Sequence, residues 1–192
     1  QSRGSSPLLD IPFCRTCFSE EGTDLISPCA CRGTLRFIHQ HCLEREFVAR
    51  AQWTRLTCAN CGHEYEGEAA VGLCRLALHR MEETPGVDKA QVHITADHLG
   101  RKLRDQGFLE ESEQLLRRAS VGLSKELGDE HPETLIALGN LGTLLAESCQ
   151  HEEAETVLRK VWSASAARLG SDHSETLVHS VNFATSLQLN GR

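Results

Sequence analysis

Eight metal-ligating side chains fall in four close pairs between Cys14 and Cys61, and this spacing constrains the fold more than any other feature of the chain. The order is Cys14-x2-Cys17, eleven residues, Cys29-x-Cys31, seven residues, His39-x2-Cys42, fifteen residues, Cys58-x2-Cys61. Two residues between donors let a tight knuckle aim two thiolates, or a thiolate and an imidazole, at one tetrahedral ion. Four such pairs supply eight donors, the number that two closed zinc sites require. In an interleaved cross-brace the first and third pairs share one ion and the second and fourth the other. Two sequential fingers would instead join Cys14, Cys17, Cys29 and Cys31. The spacing leaves both arrangements open.

Nine cysteines in 192 residues are also compatible with a secreted disulfide scaffold. The close pairs and the interposed His39 favour metal, and no secretory h-region stands near Gln1, so a reducing compartment, the cytoplasm, is expected. The chain begins without an initiator methionine, as a fragment or processed product would. No apolar run approaches the ~20 residues of a membrane helix: Ala69 to Leu78 is too short and carries Arg75. Membrane association is therefore expected only through residues outside this sequence. The net charge of -7 argues against a phosphate-tracking nucleic-acid binder. Seven thiolates against two divalent ions deepen it by about -3.

The composition shifts near Ala70 to Leu, Ala, Glu and Arg at helical spacing, and the second half repeats itself. Leu127-Gly128-Asp129-Glu130-His131-Pro132-Glu133-Thr134-Leu135 returns as Leu169-Gly170-Ser171-Asp172-His173-Ser174-Glu175-Thr176-Leu177, an offset of 42 residues. The same offset carries Leu99-Gly100 onto Leu141-Gly142 and Leu73-Cys74-Arg75 onto Leu115-Leu116-Arg117. A fixed period of this length is the mark of a solenoid of helix pairs. Helices are expected at 70–83, 87–106, 109–127, 132–148, 151–169 and 174–189, about two and a half units, with the last open to capping or continuation. Pro132 suits a first helical turn, and Leu135, Leu138, Leu141, Leu144 and Leu145 form an apolar stripe. The expected organisation is a flexible lead-in at 1–11, a zinc finger at 12–66 and helical repeats at 70–192.

Two family resemblances sharpen this. Cys29-Ala30-Cys31-Arg32-Gly33-Thr34-Leu35-Arg36-Phe37-Ile38-His39-Gln40-His41-Cys42-Leu43 resembles the centre of the RING-CH (RING-variant) finger, flanked by matching ends at Cys14 to Phe18 and Cys58 to Tyr65. A PHD finger shares the C4HC3 order, but the single Ala30 between ligands and the seven residues before His39 fit RING-CH better. The second half resembles tetratricopeptide repeats of the kinesin-light-chain type through Leu127 to Leu135, Asn140-Leu141-Gly142-Thr143-Leu144 and Glu153-Ala154-Glu155. The fold class is thus a small zinc-stabilised α+β cross-brace finger followed by an all-α tetratricopeptide solenoid.

The RING-CH resemblance implies two structural zinc ions, one on Cys14, Cys17, His39 and Cys42 and one on Cys29, Cys31, Cys58 and Cys61. It also implies an E3 ubiquitin ligase with no catalytic residue or covalent intermediate of its own: the finger docks a ubiquitin-charged E2, and positioning accelerates transfer. The implied E2 surface comprises Arg15 and Thr16 in the first knuckle, the helix after Cys42, and Ala59 and Asn60 in the last knuckle. Two positions depart from the family pattern: Thr16 replaces the usual isoleucine and Glu46 the usual tryptophan, so Phe47 or Trp53 is expected to supply the apolar contact. The alternative is a non-catalytic zinc-finger scaffold with a decayed E2 face. The repeats would recruit a substrate or adaptor peptide, with Asn140 and Asn182 in the groove. His41 and His63 are read as neighbours of ligands, Cys74 and Cys149 as packing residues, and His131 and His173 as residues of the inter-unit turns.

Overall fold

The computed structural model describes residues 12–20 and 24–191, so the expected lead-in at 1–11 lies outside the described residues. The chain divides into two compact units at Leu73/Cys74.

In the first unit, β1 (Leu25–Ile26) pairs antiparallel with β2 (Ile38–His39), with Leu25 opposite His39. α1 (Gln40–Arg50) follows directly and takes His39 as its N-cap residue, so a strand end and a first helical turn present His39 and Cys42 together. Ile38, Leu43, Phe47 and Tyr65 are fully buried and form most of the apolar filling apart from cysteine. Arg50 ties the unit across, donating to the Tyr65 hydroxyl at 3.0 Å and to the Thr57 carbonyl at 3.3 Å. So small a core holds only a few kcal/mol, and fingers of this size depend on a staple.

The helix after the finger, α2 (Gly67–Glu83), starts three residues earlier than the periodicity suggests, at 67 rather than 70. The repeat pattern begins only where the solenoid needs it, whereas the helix is nucleated earlier. Gly67, at φ +61°, turns the chain, and Ala69, Ala70, Val71 and Leu73 are all buried. The division between the two compact units falls within the residues of this helix.

The second unit continues with α3 (Lys89–Asp105), α4 (Leu109–Leu127), α5 (Pro132–Glu147), α6 (His151–Leu169) and α7 (Ser174–Leu189), each within two residues of its expected span. Caps set these ends. Asp88 accepts from the Ala90 N–H at 3.0 Å, and His131 and His173 accept through Nδ1 from Glu133 and Glu175 at 3.2 and 3.3 Å. The recurring histidines are therefore N-caps, each satisfying an orphan donor of the first turn.

Consecutive helices pack through the 42-residue period. Leu116, Leu141, Leu144, Leu145 and Ala154 form one buried cluster, and Leu138 is the one half-buried member of the α5 stripe. A Cβ at Gly100 would meet Leu116 at 2.8 Å, and one at Gly142 would meet Leu158 at 2.6 Å. Each glycine therefore lets a leucine of the following helix seat against its backbone. On the outside Arg75 pairs with Glu111 at 2.7 Å, and Arg117, one period later, pairs with Glu153 at 2.6 Å. The repeated basic residues are thus clamps between successive units rather than a binding patch. No helix among the described residues is long and apolar enough to cross a membrane.

Candidate metal centre

Two knuckles of the same construction carry the first and last cysteine pairs. Phe18 N–H donates to the Cys14 carbonyl at 2.9 Å, and Gly62 N–H donates to the Cys58 carbonyl at 2.9 Å. In each the residue after the second cysteine has a left-handed backbone, φ +59° at Phe18 and +73° at Gly62. Glycine adopts this conformation freely, whereas phenylalanine is held there at a cost of about 1–2 kcal/mol.

The donors converge in interleaved order. Cys14, Cys17, His39 and Cys42 form one cluster and Cys29, Cys31, Cys58 and Cys61 the other, with donor atoms within 4.8 Å of one another in each. His39 faces its cluster through Nδ1, 3.3 Å from Cys17 Sγ and 4.0 Å from Cys42 Sγ, and Cys31 Sγ lies 3.8 Å from Cys58 Sγ. A tetrahedral zinc ion with bonds of about 2.3 Å to sulfur and about 2.0 Å to nitrogen places its ligands roughly 3.5–3.8 Å apart, so both clusters fit it. The sequential arrangement is excluded, because Cys14 and Cys17 meet His39 and Cys42 rather than Cys29 and Cys31.

The thiols of each cluster are split electrostatically. Burial raises the Cys14 pKa, but backbone N–H groups of Cys17, His39 and Thr16 outweigh it and lower the value to about 6. Burial and the neighbouring Cys17 and Cys14 push Cys42 up to about 12. In the second cluster the His63 backbone is the largest influence lowering Cys61 to about 6, and burial with three neighbouring thiols raises Cys31 to about 12. Thiols this close cannot all ionise beside one another. A divalent cation held by these four donors would remove that conflict, and zinc there would supply structural cross-linking.

Around the clusters, Arg15 donates to the Leu35 carbonyl at 3.0 Å and lies 3.7 Å from Cys29 Sγ. The half-buried guanidinium thereby also reaches the second metal cluster and the loop before β2. The expected contact role of Phe47 is corrected. Its ring is 1% exposed and sits edge-on to Trp53 with centroids 5.7 Å apart, because the helix turns that face into the finger core. Trp53 is half-buried against it, while Thr16, Ala59 and Asn60 are exposed. Thr16 donates to Glu46 Oε1 at 2.6 Å, which joins the two departures from the family pattern. His41 lies beside Cys42 Sγ at 3.3 Å and Asp24 at 3.5 Å, and His63 Nδ1 lies 3.0 Å from the Cys61 carbonyl oxygen. Phe18, 74% exposed, was not singled out in the sequence, where the matching glycine of the last knuckle was the available signal.

In the repeats, Asn182 lines a groove of about 280 Å³ between α5 and α7, together with Asn140, Val178 and the buried His179. Asn140 does not offer its amide N–H group to this groove. It donates to both carboxylate oxygens of Asp97 at 3.0 Å, a buried carboxylate whose pKa is raised by desolvation, with the Asn140 bond opposing. Asn140 therefore keeps only its carbonyl oxygen for a ligand. Asp97 itself carried no signal in the sequence, since its partner lies in the next unit.

Comparison with known proteins agrees with this architecture. Residues 14–61 match the RING-variant domain and residues 88–167 the tetratricopeptide repeat. The E3 ubiquitin-protein ligase MARCHF11 of Rattus norvegicus is 39% identical over 56 residues, covering 28% of this chain and 13% of its own length. MARCHF9 of Homo sapiens is 42% identical over 60 residues, 30% of this chain and 16% of its own. The chain thus spans only a small part of these curated relatives, 13% and 16% of their length. Among solved structures, a kinesin-light-chain-type protein of Podosopora anserina with nearly identical TPR-like repeats superposes with a TM-score of 0.61 at 24% identity, over 79% of this chain and 65% of that one. BtubC of P. vanneervenii gives 0.59 at 13% identity, over 79% and 54%. At these identities the likeness is one of fold.

Proposed function

We propose that this chain, which joins a RING-variant domain to tetratricopeptide repeats, belongs to an E3 ubiquitin ligase in which the finger docks a ubiquitin-charged E2 and the repeats recruit a substrate or adaptor. The observation that carries the reading is the interleaved pair of four-donor clusters. It holds the first knuckle, the start of α1 and the last knuckle as one rigid body, the requirement for a catalyst that works by positioning. The docking surface comprises Arg15, Thr16 and Glu46, with Ala59 and Asn60 from the last knuckle and Trp53 at its edge. Phe18 adds an exposed aromatic ring in the first knuckle. The finger is assigned to 12–66 and the recruiting repeats to 70–192, in a reducing, cytoplasmic setting. In the repeats Asn182 and the carbonyl of Asn140 are the groups offered to an extended peptide. The homology to MARCHF11 and MARCHF9, both E3 ubiquitin-protein ligases, supports this reading over the finger alone.

A second reading, a non-catalytic scaffold, is favoured by one observation: polar Thr16 and Glu46 occupy positions where an apolar patch is expected. Ubiquitin discharge from a panel of charged E2 enzymes separates the two. Zinc-dependent acceleration by wild type, lost in Cys29→Ser and Cys58→Ser, is the expected result. Two zinc ions per chain with no E2 accelerated supports the scaffold.

A further inference from the structure

We infer that the hydrogen-bonded Thr16–Glu46 pair is a selectivity element, admitting E2 enzymes that present a basic side chain to it and disfavouring those that present an apolar one. The inference rests on the ligase reading above and names the class of partner that reading leaves open. Thr16 lies in the first knuckle and Glu46 on the second turn of α1, 30 residues apart in sequence, and the fold brings Thr16 Oγ1 to 2.6 Å from Glu46 Oε1.

Glu46 is the acceptor of the pair: the Thr16 hydroxyl has one proton and gives it to Oε1. Oε2 carries no hydrogen bond among the described residues. Arg15 feels the Glu46 charge, but its Nη1 donates to the Leu35 carbonyl and lies beside Cys29 Sγ rather than on the Glu46 carboxylate. Glu44 is bonded to Gln40 at 2.8 Å, along its own face of α1. On the docking face that the ligase reading assigns, the free oxygen of this carboxylate is therefore what a partner meets.

Closing an interface over this point strips water from the carboxylate. An apolar side chain opposite leaves the charge without compensation, whereas lysine or arginine replaces the lost water with a charge-assisted bond. The same pair thus rejects one class of E2 and accepts another, the use that interfaces make of a charge near their centre.

The test uses the full zinc-loaded chain in ubiquitin discharge against E2 enzymes of known surface sequence, with wild type compared to Glu46→Lys, Glu46→Gln and Thr16→Ile/Glu46→Trp. Zinc content and far-UV circular dichroism confirm that each variant is folded. For an E2 that wild type accelerates, changing its contacting basic residue to glutamate slows discharge by about tenfold, and Glu46→Lys restores it, the size of one interfacial charge contact. The Thr16→Ile/Glu46→Trp variant gains activity with E2s that present apolar side chains. Restoration by charge exchange is a result that a purely structural Glu46 does not give. If Glu46→Lys slows every E2 alike and no exchange restores any, the selectivity element is overturned while the ligase reading stands. If zinc-loaded wild type accelerates no E2, both are overturned.

Discussion

The finger and the repeat array solve one problem, holding a surface in shape, by opposite means. The finger collects eight donors at two points and has Ile38, Leu43, Phe47 and Tyr65 as its largest fully buried side chains. Its stability is concentrated in the ions. The array spreads its stability along a period, with a leucine against a glycine and an arginine against a glutamate in successive units. Concentrated stability fails all at once, and distributed stability fails by increments.

Metal removal tests that contrast most severely. Structural zinc contributes on the order of 10 kcal/mol or more to a finger, so chelation is expected to unfold the first unit and leave the helices of the second. The chain's two tryptophans report separately, Trp53 against Phe47 in the finger and Trp162 stacked on Phe183 in the repeats at 5.7 Å. With Trp162→Phe the remaining Trp53 emission should shift to that of solvated indole on chelation, and with Trp53→Phe the Trp162 emission should stay. A shift in both would show that the repeats also depend on the ions.

Next in size is the close approach of Leu158. Gly142→Ala places a methyl group 2.6 Å from that side chain and is expected to destabilise the array by about 1–3 kcal/mol, read as a lower urea midpoint. Leu158→Ala in the same chain should recover little, because the cavity it opens costs about 2–5 kcal/mol. If Gly142→Ala is neutral, the helices slide freely and the period is a weaker constraint than the packing implies.

Asp97 supplies a pH test confined to the array. Its folded-state pKa is raised by burial, so the folded state holds the proton more tightly than the unfolded chain. Stability is then greatest below the unfolded carboxylate value and falls as pH rises through the folded one. Asp97→Asn keeps an acceptor for Asn140 and should flatten this part of the profile and raise the urea midpoint at neutral pH. A profile unchanged by the substitution would place the titration elsewhere.

The smallest expected effect returns to the finger. Phe18→Gly relieves a left-handed backbone already occupied by glycine at the matching position of the last knuckle, and should stabilise the zinc-loaded finger by up to about 1 kcal/mol. Competition with a chromophoric chelator measures this as slower zinc release. Faster release would mean that the aromatic ring contributes more than its backbone loses.

Much of this was legible in the sequence because it is local or periodic. Close cysteine pairs show through the geometry of a knuckle, and helices show through a 42-residue repeat whose His131 and His173 caps stand at fixed offsets. Individual surface roles were less legible. Phe47 read as an exposed apolar contact because helical spacing does not say which face turns inward. Asn140 read as a groove donor because its partner Asp97 lies 43 residues away.

By itself the sequence determined the eight donors, the break in composition near residue 70 and the helix order, since each rests on residue type and spacing along one stretch of chain. Only the tertiary structure decided that the donor pairs interleave, that Arg15 reaches the Leu35 carbonyl and that Thr16 meets Glu46. Those outcomes depend on which distant segments converge, and convergence is set by the joint packing of β2, α1 and the two knuckles, which no single stretch of sequence contains.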